Sequence, residues 1–172
     1  SGQSISHGGV WNVVQALGQK VKESETELAK AAEKNQLCGE KEVPVLFEEA
    51  DGVYINIQGN DRPKSGKKLE MKVAVAYAGW KETSKNRFEL VNKVACAGFE
   101  DISEFYRIKE AMIAREYNVD EIQMRILNGD GAAWIKHGID DTVHYQLDPF
   151  HKHKAILRSV RDEEQRKTIL NL

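Results

Sequence analysis

Two aspartates stand at positions where a strand can present a carboxylate to a ligand. Asp51 lies in the run VLFEEADGVYINIQ, where a carboxylate among alternating apolar residues is costly unless it faces a site or a charged partner. Asp130 lies in NGDG, and Gly129 and Gly131 let the backbone turn and let a ligand approach closely. Carboxylate oxygens suit Mg²⁺ or Mn²⁺ rather than a soft metal. The pair predicts a divalent-cation site able to support phosphoryl transfer, although DG pairs are also common turns that only shape loops.

A third acid, Asp148, closes the last predicted strand at the start of DPFHKHK. It is a candidate for the same cation site, but an acid directly before Pro149 at a helix start also suits a structural role, and we prefer that interpretation. His151 follows in the same segment and is interpreted as a phosphate contact or a surface residue. His151 and His153 are two residues apart on a helix and point to different sides, so the pair does not predict a shared zinc ion.

Basic side chains concentrate in one loop. The segment GNDRPKSGKK is rich in turn-forming residues, and a contact with a phosphate backbone needs only mobile positive charge. A further cation follows the second aspartate. The candidates for DNA contact are therefore Arg62, Lys64, Lys67, Lys68, Lys136 and His151. A solvated hairpin tip and a solvated helix end explain the loop and Lys136 equally well.

The aspartates need a sheet that brings their strands together. Period-two alternation predicts strands at 45–58, 69–77 and 88–97, joined by short loops as an antiparallel meander, with a bend or bulge at Gly52. Helical spacing predicts a crossover helix at 102–117, and then come a strand at 123–127, a short helix at 132–136, a strand from Val143 and a last helix from His151. This order predicts an α/β fold with a mixed sheet and helices packed on its faces. With the first and fourth strands as neighbours, both aspartates converge on one spot.

The first 37 residues form a separate unit in this interpretation. Apolar residues at three- and four-residue steps predict one helix from 10 to 34, capped by Ser4 or Ser6. They are Val10, Val13, Val14, Leu17, Val21 and Leu28. The densely charged second half is typical of a helix that leaves a core to act as a connector. Gly39 and Pro44 break the pattern, so we place a linking helix at 1–37 and the core domain at 43–172.

Composition indicates a globular protein, with 41% hydrophobic and 30% charged residues. Apolar runs such as VAVAYAGW are too short to cross a bilayer and no signal peptide is visible, which predicts a cytoplasmic protein without a membrane partner. The net charge of −2 gives no support for a nucleic-acid partner from overall charge. Cys38 and Cys96 indicate neither a disulfide framework nor a zinc site. Trp80 and Trp134 are predicted to pack in the core or at its edge.

Five segments together resemble, in order and spacing, the bacterial insertion-sequence transposases of the ISLre group. The segments are FEEADGVYINIQ, KKLEMKVAVAYAGW, FELVNKVACAGF, ILNGDGAAWIK and LDPFHKHKAI. The resemblance covers nearly the whole chain from SISHGGVWN onward, and NGDGAAWIK followed by DPFH is its most specific part. The group was long described as an uncharacterised protein family, and it is similar at a distance to the Mutator-type transposases.

The resemblance implies an RNase H-like fold with three acidic ligands for two Mg²⁺ or Mn²⁺ ions. They are an aspartate of the first strand, an aspartate after the fourth strand and a glutamate on a later helix. In the family these ions support hydrolysis of the transposon end and then attack of the freed 3′-hydroxyl on target DNA. By their place in the matching segments, Asp51 is the first acid and Asp130 the second. The chain is thus expected to be part of a DDE-type DNA transposase, with DNA as a partner. A homo-oligomer is an open alternative, because the sequence does not determine the oligomeric state.

The third acid of the family has no matching segment before Leu172, so the chain is expected to be a partial core that ends before it. Glu163 and Glu164 are the remaining candidates, because their distance from Asp130 resembles the short spacing of integrases that lack an insertion. Their context, SVRDEEQRK, is also typical of a solvated helix face. Two alternatives stay open: a self-contained RNase H-like nuclease that uses Glu163 or Glu164, and a catalytically inactive DNA-binding or interaction remnant of the fold.

Overall fold

A computed structural model describes residues 6–58, 64, 66 and 68–170. The helices in this part of the chain are α1 (His7–Glu33), α2 (Ile102–Glu116), α3 (Pro149–Ser159) and α4 (Glu163–Leu170). The strands are β1 (Val45–Asn56), β2 (Lys68–Tyr77), β3 (Gly79–Ser84), β4 (Arg87–Val91), β5 (Val94–Gly98), β6 (Met124–Gly129) and β7 (Val143–Leu147). Short 3-10 helices at Val119–Glu121 and Ala133–Lys136 flank β6. None of the helices in the described ranges is long and apolar enough to span a membrane.

Five strands form one mixed sheet in the order β5-β2-β1-β6-β7. β2 runs antiparallel to β1 and β5, whereas β6 runs parallel to β1 and β7. α2 carries the chain from β5 at one edge back to β6 beside β1. This arrangement confirms the predicted mixed α/β architecture, and it makes the first strand and the strand that precedes Asp130 direct neighbours.

The core lies between the sheet and α2. Every second residue of β1 points to this side, and Leu46 and Ala50 are buried there. α2 contributes Phe105, Ile108 and Ile113, which recur at helical spacing and are also buried. Because a fully buried large apolar side chain contributes about 1.5–3 kcal/mol, this layer fixes how the central strands lie relative to α2.

The prediction of one strand at 88–97 is wrong. The segment divides at Asn92, whose positive φ of 53° turns the chain between β4 and β5. β4 pairs with β3, which was not predicted, in a separate two-stranded sheet, while β5 joins the main sheet beside β2. Asparagine tolerates the left-handed conformation better than most residues, and Asn86, with a φ of 60°, makes the turn between β3 and β4. We refer to β3, β4 and their turn as the β3–β4 hairpin.

The C-terminal helix is also divided. Asp148 caps α3 by accepting hydrogen bonds from the backbone N–H groups of Phe150 and His151, so the helix starts at Pro149 and not at His151. It ends at an extended Val160, and Asp162 accepts a hydrogen bond from the N–H of Gln165 before α4 continues. Two strand predictions also differ in detail. β6 extends beyond the expected 123–127 to Gly129. β1 passes through Gly52 in regular register with β2, without the predicted bend or bulge.

The half of α1 that packs on the core is the opposite of the half that was predicted to do so. Ser6 caps α1, as predicted, but its apolar first half is exposed, and the charged second half is the part that packs on α2. Ala29 is buried at this contact, and Glu33 forms an ion pair with Arg107 of α2. A small side chain such as alanine lets two helices approach closely. The charged side chains of α1 can then lie at the border of the contact with α2, with their charged ends in solvent. The exposed apolar residues are Val10, Trp11, Val13, Val14, Leu17 and Val21.

Gly39 connects α1 to the core and is closely packed against the end of α2. A Cβ atom at this position would lie 2.2 Å from the backbone nitrogen of Tyr117 and 2.3 Å from the carbonyl carbon of Glu116. Backbone atoms cannot rotate away, so we expect Gly39→Ala to lower the free energy of unfolding by about 1–3 kcal/mol. In α1, Gly18 has no such neighbour within 4 Å, and Gly18→Ala is expected to stabilise by about 0.5–1 kcal/mol. Urea unfolding of both variants checks the opposite signs, and equal shifts would contradict the packing of residue 39.

Candidate metal centre

The two predicted aspartates lie side by side, where the pairing between β1 and β6 ends. In the β1–β6 register Ala50 pairs with Gly129, and in the β6–β7 register Gly129 pairs with Leu147. The residues that follow Ala50, Gly129 and Leu147 along the chain are Asp51, Asp130 and Asp148. These side chains open into a cavity of 520 Å³ on the side of the sheet opposite α2. The cavity is lined by Glu49, Ala50, Asp51, Val73, Val75, Asn128, Gly129, Asp130, Gln146, Leu147, Asp148, Pro149 and His151.

Asp51 is held in place by the regular pairing of β1. It lies opposite Val73 of β2, and its Oδ1 accepts a hydrogen bond of 2.8 Å from the N–H of Gly52. Strand alternation places Asp51 and Glu49 on the open face, away from α2. The Glu49 carboxylate accepts a hydrogen bond of 2.8 Å from the Tyr77 hydroxyl, and burial together with this carboxylate raises the pKa of Tyr77.

Asp130 is held by the turn that follows β6. Its Oδ1 accepts a hydrogen bond of 2.8 Å from the N–H of Ala132, and Gly131 adopts a φ of 94°, which suits glycine. The Tyr145 hydroxyl donates a hydrogen bond of 3.0 Å to the Gly129 carbonyl just before the aspartate. Burial, and then the charge of Asp130, raise the pKa of Tyr145. The turn thus fixes one carboxylate oxygen of Asp130 and leaves the other free to bind a ligand.

The chemistry of these donors fits a hard divalent cation. Asp51 and Asp130 each use Oδ1 for a local backbone hydrogen bond, and among the described residues neither Oδ2 has a hydrogen-bond partner. Among the described residues, no lysine or arginine forms an ion pair with Asp51, Asp130 or Glu49. The same part of the chain contains no group of three His, Cys, Asp or Glu side chains that could hold a metal ion. The arrangement is therefore a two-carboxylate site that needs further oxygen ligands, such as substrate phosphates or water.

The other acidic candidates differ in position. Asp148 lines the cavity, but its Oδ1 caps α3, so it performs the structural role that its place before Pro149 suggested. His151 also lines the cavity, and its Nδ1 lies 3.5 Å from the same Oδ1. Glu163 and Glu164 lie on α4, exposed, where both pair with Lys167. Neither glutamate lines the cavity.

The basic candidates are only partly brought to the site. Lys136 is exposed, and its ammonium group lies 5.0 Å from the centre of the Tyr145 ring, next to the turn of Asp130. Lys64 and Lys68 are exposed in the segment that leads into β2. Arg62 and Lys67 lie outside the described residues.

A buried ionic cluster lies directly behind the open face. Glu48 of β1, only 2% exposed, is 2.8 Å from the Lys109 ammonium group and 2.5 Å from the Arg125 guanidinium group. Glu110, whose side chain is 43% exposed, closes this cluster at its solvent side through two hydrogen bonds from Arg125 and an ion pair with Lys109. Desolvation raises the pKa of Glu110, but the two cations outweigh it and lower the pKa to about 2. The residues Glu48, Lys109, Glu110 and Arg125 are called the buried quartet below, after the low exposure of Glu48, Lys109 and Arg125.

The buried quartet was not predicted, and only the position of Glu48 on the apolar side of β1 pointed to it. Its role is structural. Glu48 belongs to the strand of Asp51, and Arg125 to the strand that ends before Asp130, so their ion pair joins the two strands that carry the aspartates.

Comparison with known proteins identifies the family. The model of a family described as Uncharacterised protein family (UPF0236) matches residues 3–170. A UPF0236 protein of Caldanaerobacter subterraneus subsp. tengcongensis is 26% identical over 140 residues, which cover 80% of this chain and 28% of the relative. The chain thus spans less than a third of that relative's length. No solved structure matches. Because the family model covers almost all of the 172 residues, the chain belongs to the UPF0236 family.

Proposed function

We propose that the chain is the metal-binding part of an RNase H-like DNA transposase core. The observation that carries the proposal is the position of Asp51 and Asp130 directly after the last residue pair that joins the parallel strands β1 and β6, facing one open cavity. A sheet of three antiparallel strands continued by two parallel strands also agrees with the RNase H-like fold that the resemblance implies. The whole protein's reaction, cleavage of transposon ends and strand transfer into target DNA, belongs to this proposal.

The residues divide the work in a simple way. Asp51 and Asp130 would hold Mg²⁺ or Mn²⁺ through their free oxygens, and two such ions activate an attacking oxygen and stabilise the leaving oxygen of a phosphodiester. The hydrogen bonds from Gly52 and Ala132 orient the carboxylates before substrate arrives. His151 lines the cavity and Lys136 lies over the Tyr145 ring beside the turn of Asp130, and both would contact phosphates of the bound DNA. A third carboxylate remains to be assigned, and the exposed, paired positions of Glu163 and Glu164 give no support to a self-contained nuclease.

Binding of Mn²⁺ to the 172-residue chain tests the site directly. Two carboxylates with open coordination positions should bind Mn²⁺ weakly, and Asp51→Asn or Asp130→Asn should each weaken binding at least about tenfold, because each removes a ligand. Electron paramagnetic resonance of free Mn²⁺ during titration measures the affinity. Asp120→Asn removes one exposed charge that does not line the cavity and is the matched control.

The same titration with Glu163→Gln and Glu164→Gln decides between the candidates for the third acid. Unchanged affinity is expected for both. Equal affinities for the unmodified chain and the two aspartate variants would overturn the proposed centre, and a loss in Glu163→Gln or Glu164→Gln would favour the self-contained nuclease.

A further inference from the structure

The β3–β4 hairpin is exposed on both of its faces. Apart from Gly79 at its start, every residue of β3 is exposed, and so are Arg87, Phe88 and Glu89 of β4. A two-stranded hairpin is marginally stable in water on its own. This hairpin is anchored at its base, where the N–H of Ala78 donates to the Val91 carbonyl and where the Trp80 ring packs on Phe47 and Tyr77. The rest of the hairpin extends into solvent.

Two large aromatic side chains project from the same face of this hairpin. Trp80 pairs with Leu90 and Phe88 pairs with Glu82, so Trp80 and Phe88 are diagonal neighbours across the two strands. The Trp80 side chain was predicted to pack in the core or at its edge. It does pack against the Phe47 ring, at 4.7 Å between centroids, yet 54% of it is exposed, and Phe88 is 64% exposed. Trp134, by contrast, is buried as predicted.

The charge of the hairpin is positive although the chain as a whole is negative. The hairpin itself, residues 79–91, has three basic and two acidic side chains, and a fourth basic residue, Lys93, follows two residues later. The basic residues are Lys81, Lys85, Arg87 and Lys93, all exposed. None of the four forms an ion pair within the part of the chain that the structure describes. Strand alternation places Lys81 and Arg87 on the face opposite Trp80, Glu82 and Phe88, and Lys85 lies in the turn, so these cations lie at the edge and tip of the aromatic face. Exposed aromatic rings with cations nearby are a combination that binds single-stranded nucleic acid, in which bases stack and phosphates are neutralised.

The hairpin lies on the same side of the sheet as the acidic cavity. Its anchor, Phe47, shares the open face of β1 with Glu49 and Asp51, and Tyr77 joins the two regions by its hydrogen bond to Glu49. Phe47 and Asp51 are four residues apart in an extended strand, which is about 13 Å. A DNA strand bound on the hairpin can therefore continue along the open face to the aspartates within a few nucleotides.

We propose that the β3–β4 hairpin binds a single-stranded segment of DNA, with bases stacked on Trp80 and Phe88 and phosphates beside Lys85 and Arg87. The proposal rests on the proposed function, because it identifies the substrate as DNA. The hairpin then holds an unpaired strand next to the position where the metal centre acts. A single strand is favoured over a duplex because the bases of a duplex are stacked on one another and do not offer their faces to a side chain.

Binding of a fluorescein-labelled oligo(dT) strand, measured by anisotropy in EDTA, tests this proposal separately from the metal centre. Trp80→Leu and Phe88→Leu keep an apolar side chain but remove the ring, and each is expected to weaken binding at least about fivefold. Trp80→Phe should restore much of the affinity. Trp11→Leu is the matched control, because Trp11 is another exposed tryptophan, on α1 (64%, against 54% for Trp80), and this variant should bind as the unmodified chain does.

The salt dependence of the same affinity tests the phosphate contacts. Lys85→Gln and Arg87→Gln should weaken binding and make the slope of log affinity against log salt concentration shallower, whereas Lys20→Gln on α1 should change neither. Phe88→Leu is the variant whose fold is least affected, because the Phe88 ring packs against no other aromatic ring among the described residues. Thermal unfolding checks that each variant is folded. The proposal is overturned by no binding, by equal affinity of folded Phe88→Leu and unmodified chain, or by tighter binding of a duplex of the same length. Because the assay contains no metal, a failed metal centre does not affect it.

Discussion

Asp51→Asn and Asp130→Asn are each expected to reduce Mn²⁺-dependent cleavage of a DNA duplex by about 1000-fold or more. Each substitution removes one anionic group from the proposed two-carboxylate site and leaves side-chain volume and the local backbone hydrogen bond almost unchanged. Metal ions contribute several kcal/mol to charge stabilisation in phosphoryl transfer, and each 1.36 kcal/mol corresponds to about a factor of ten in rate. The initial rate of cleavage of an end-labelled duplex is the measurement.

The pattern of cleavage also decides where the third ligand comes from. Cleavage by the 172-residue chain that disappears in both aspartate variants would show that its own residues complete the site, and Glu163→Gln and Glu164→Gln would then identify the third acid. Absence of cleavage together with retained Mn²⁺ binding would place the third ligand outside this chain. Undiminished cleavage by Asp130→Asn would contradict the proposed centre. Asp141→Asn, an exposed acid that does not line the cavity, is the control.

The position of the aspartates could be predicted from sequence because local signals marked the strand of Asp51 and the end of the strand before Asp130. Alternation identified the strand of Asp51, and the glycines around Asp130 identified the end of the fourth strand. The crossover helix between them then made the two strands neighbours, as the structure has them. Asp148 was also placed correctly at a helix start, since an acid before Pro149 is a local feature. The binding of metal by these residues stays a prediction.

The hairpin could not be predicted, because its sequence alternates in the same way as a strand of the main sheet. Only the left-handed Asn86 and Asn92 divide the segment, and asparagine adopts that conformation in some contexts and not in others. The packing of α1 was reversed for a related reason. Hydrophobic periodicity shows that a helix has an apolar face, but it does not show what covers that face, and Val10 to Val21 remain exposed.

The buried quartet had no signal in sequence, since its partners are distant along the chain. Glu48 is 61 residues from Lys109 and 77 from Arg125. In sequence, Glu48 and Glu49 are two adjacent acids with the same appearance. In the structure one faces α2 and is 2% exposed, while the other faces the cavity. A one-residue difference in strand position thus separates a structural carboxylate from a candidate for the site.

Lys109→Met is expected to lower the free energy of unfolding by about 3–5 kcal/mol, because it leaves the buried Glu48 carboxylate without one of its two cations. Glu48→Gln removes the opposite partner and should destabilise by a similar mechanism. The free energy of unfolding of the double variant should fall by less than the sum of the two single losses, by about 0.5–3 kcal/mol. The reason is that the double variant removes both charges of the pair, so neither is left without the other. Urea unfolding of the four proteins gives this coupling energy.

Lys167→Met is the matched control, because Lys167 also pairs with two glutamates but lies 59% exposed on α4. An exposed pair of this kind contributes at most about 1 kcal/mol. Equal losses for Lys109→Met and Lys167→Met would contradict a structural role for the buried quartet. A large loss for Lys109→Met, together with weaker Mn²⁺ binding in the fraction that remains folded, would show that the cluster also holds β1 and β6 in the register that sets Asp51 beside Asp130.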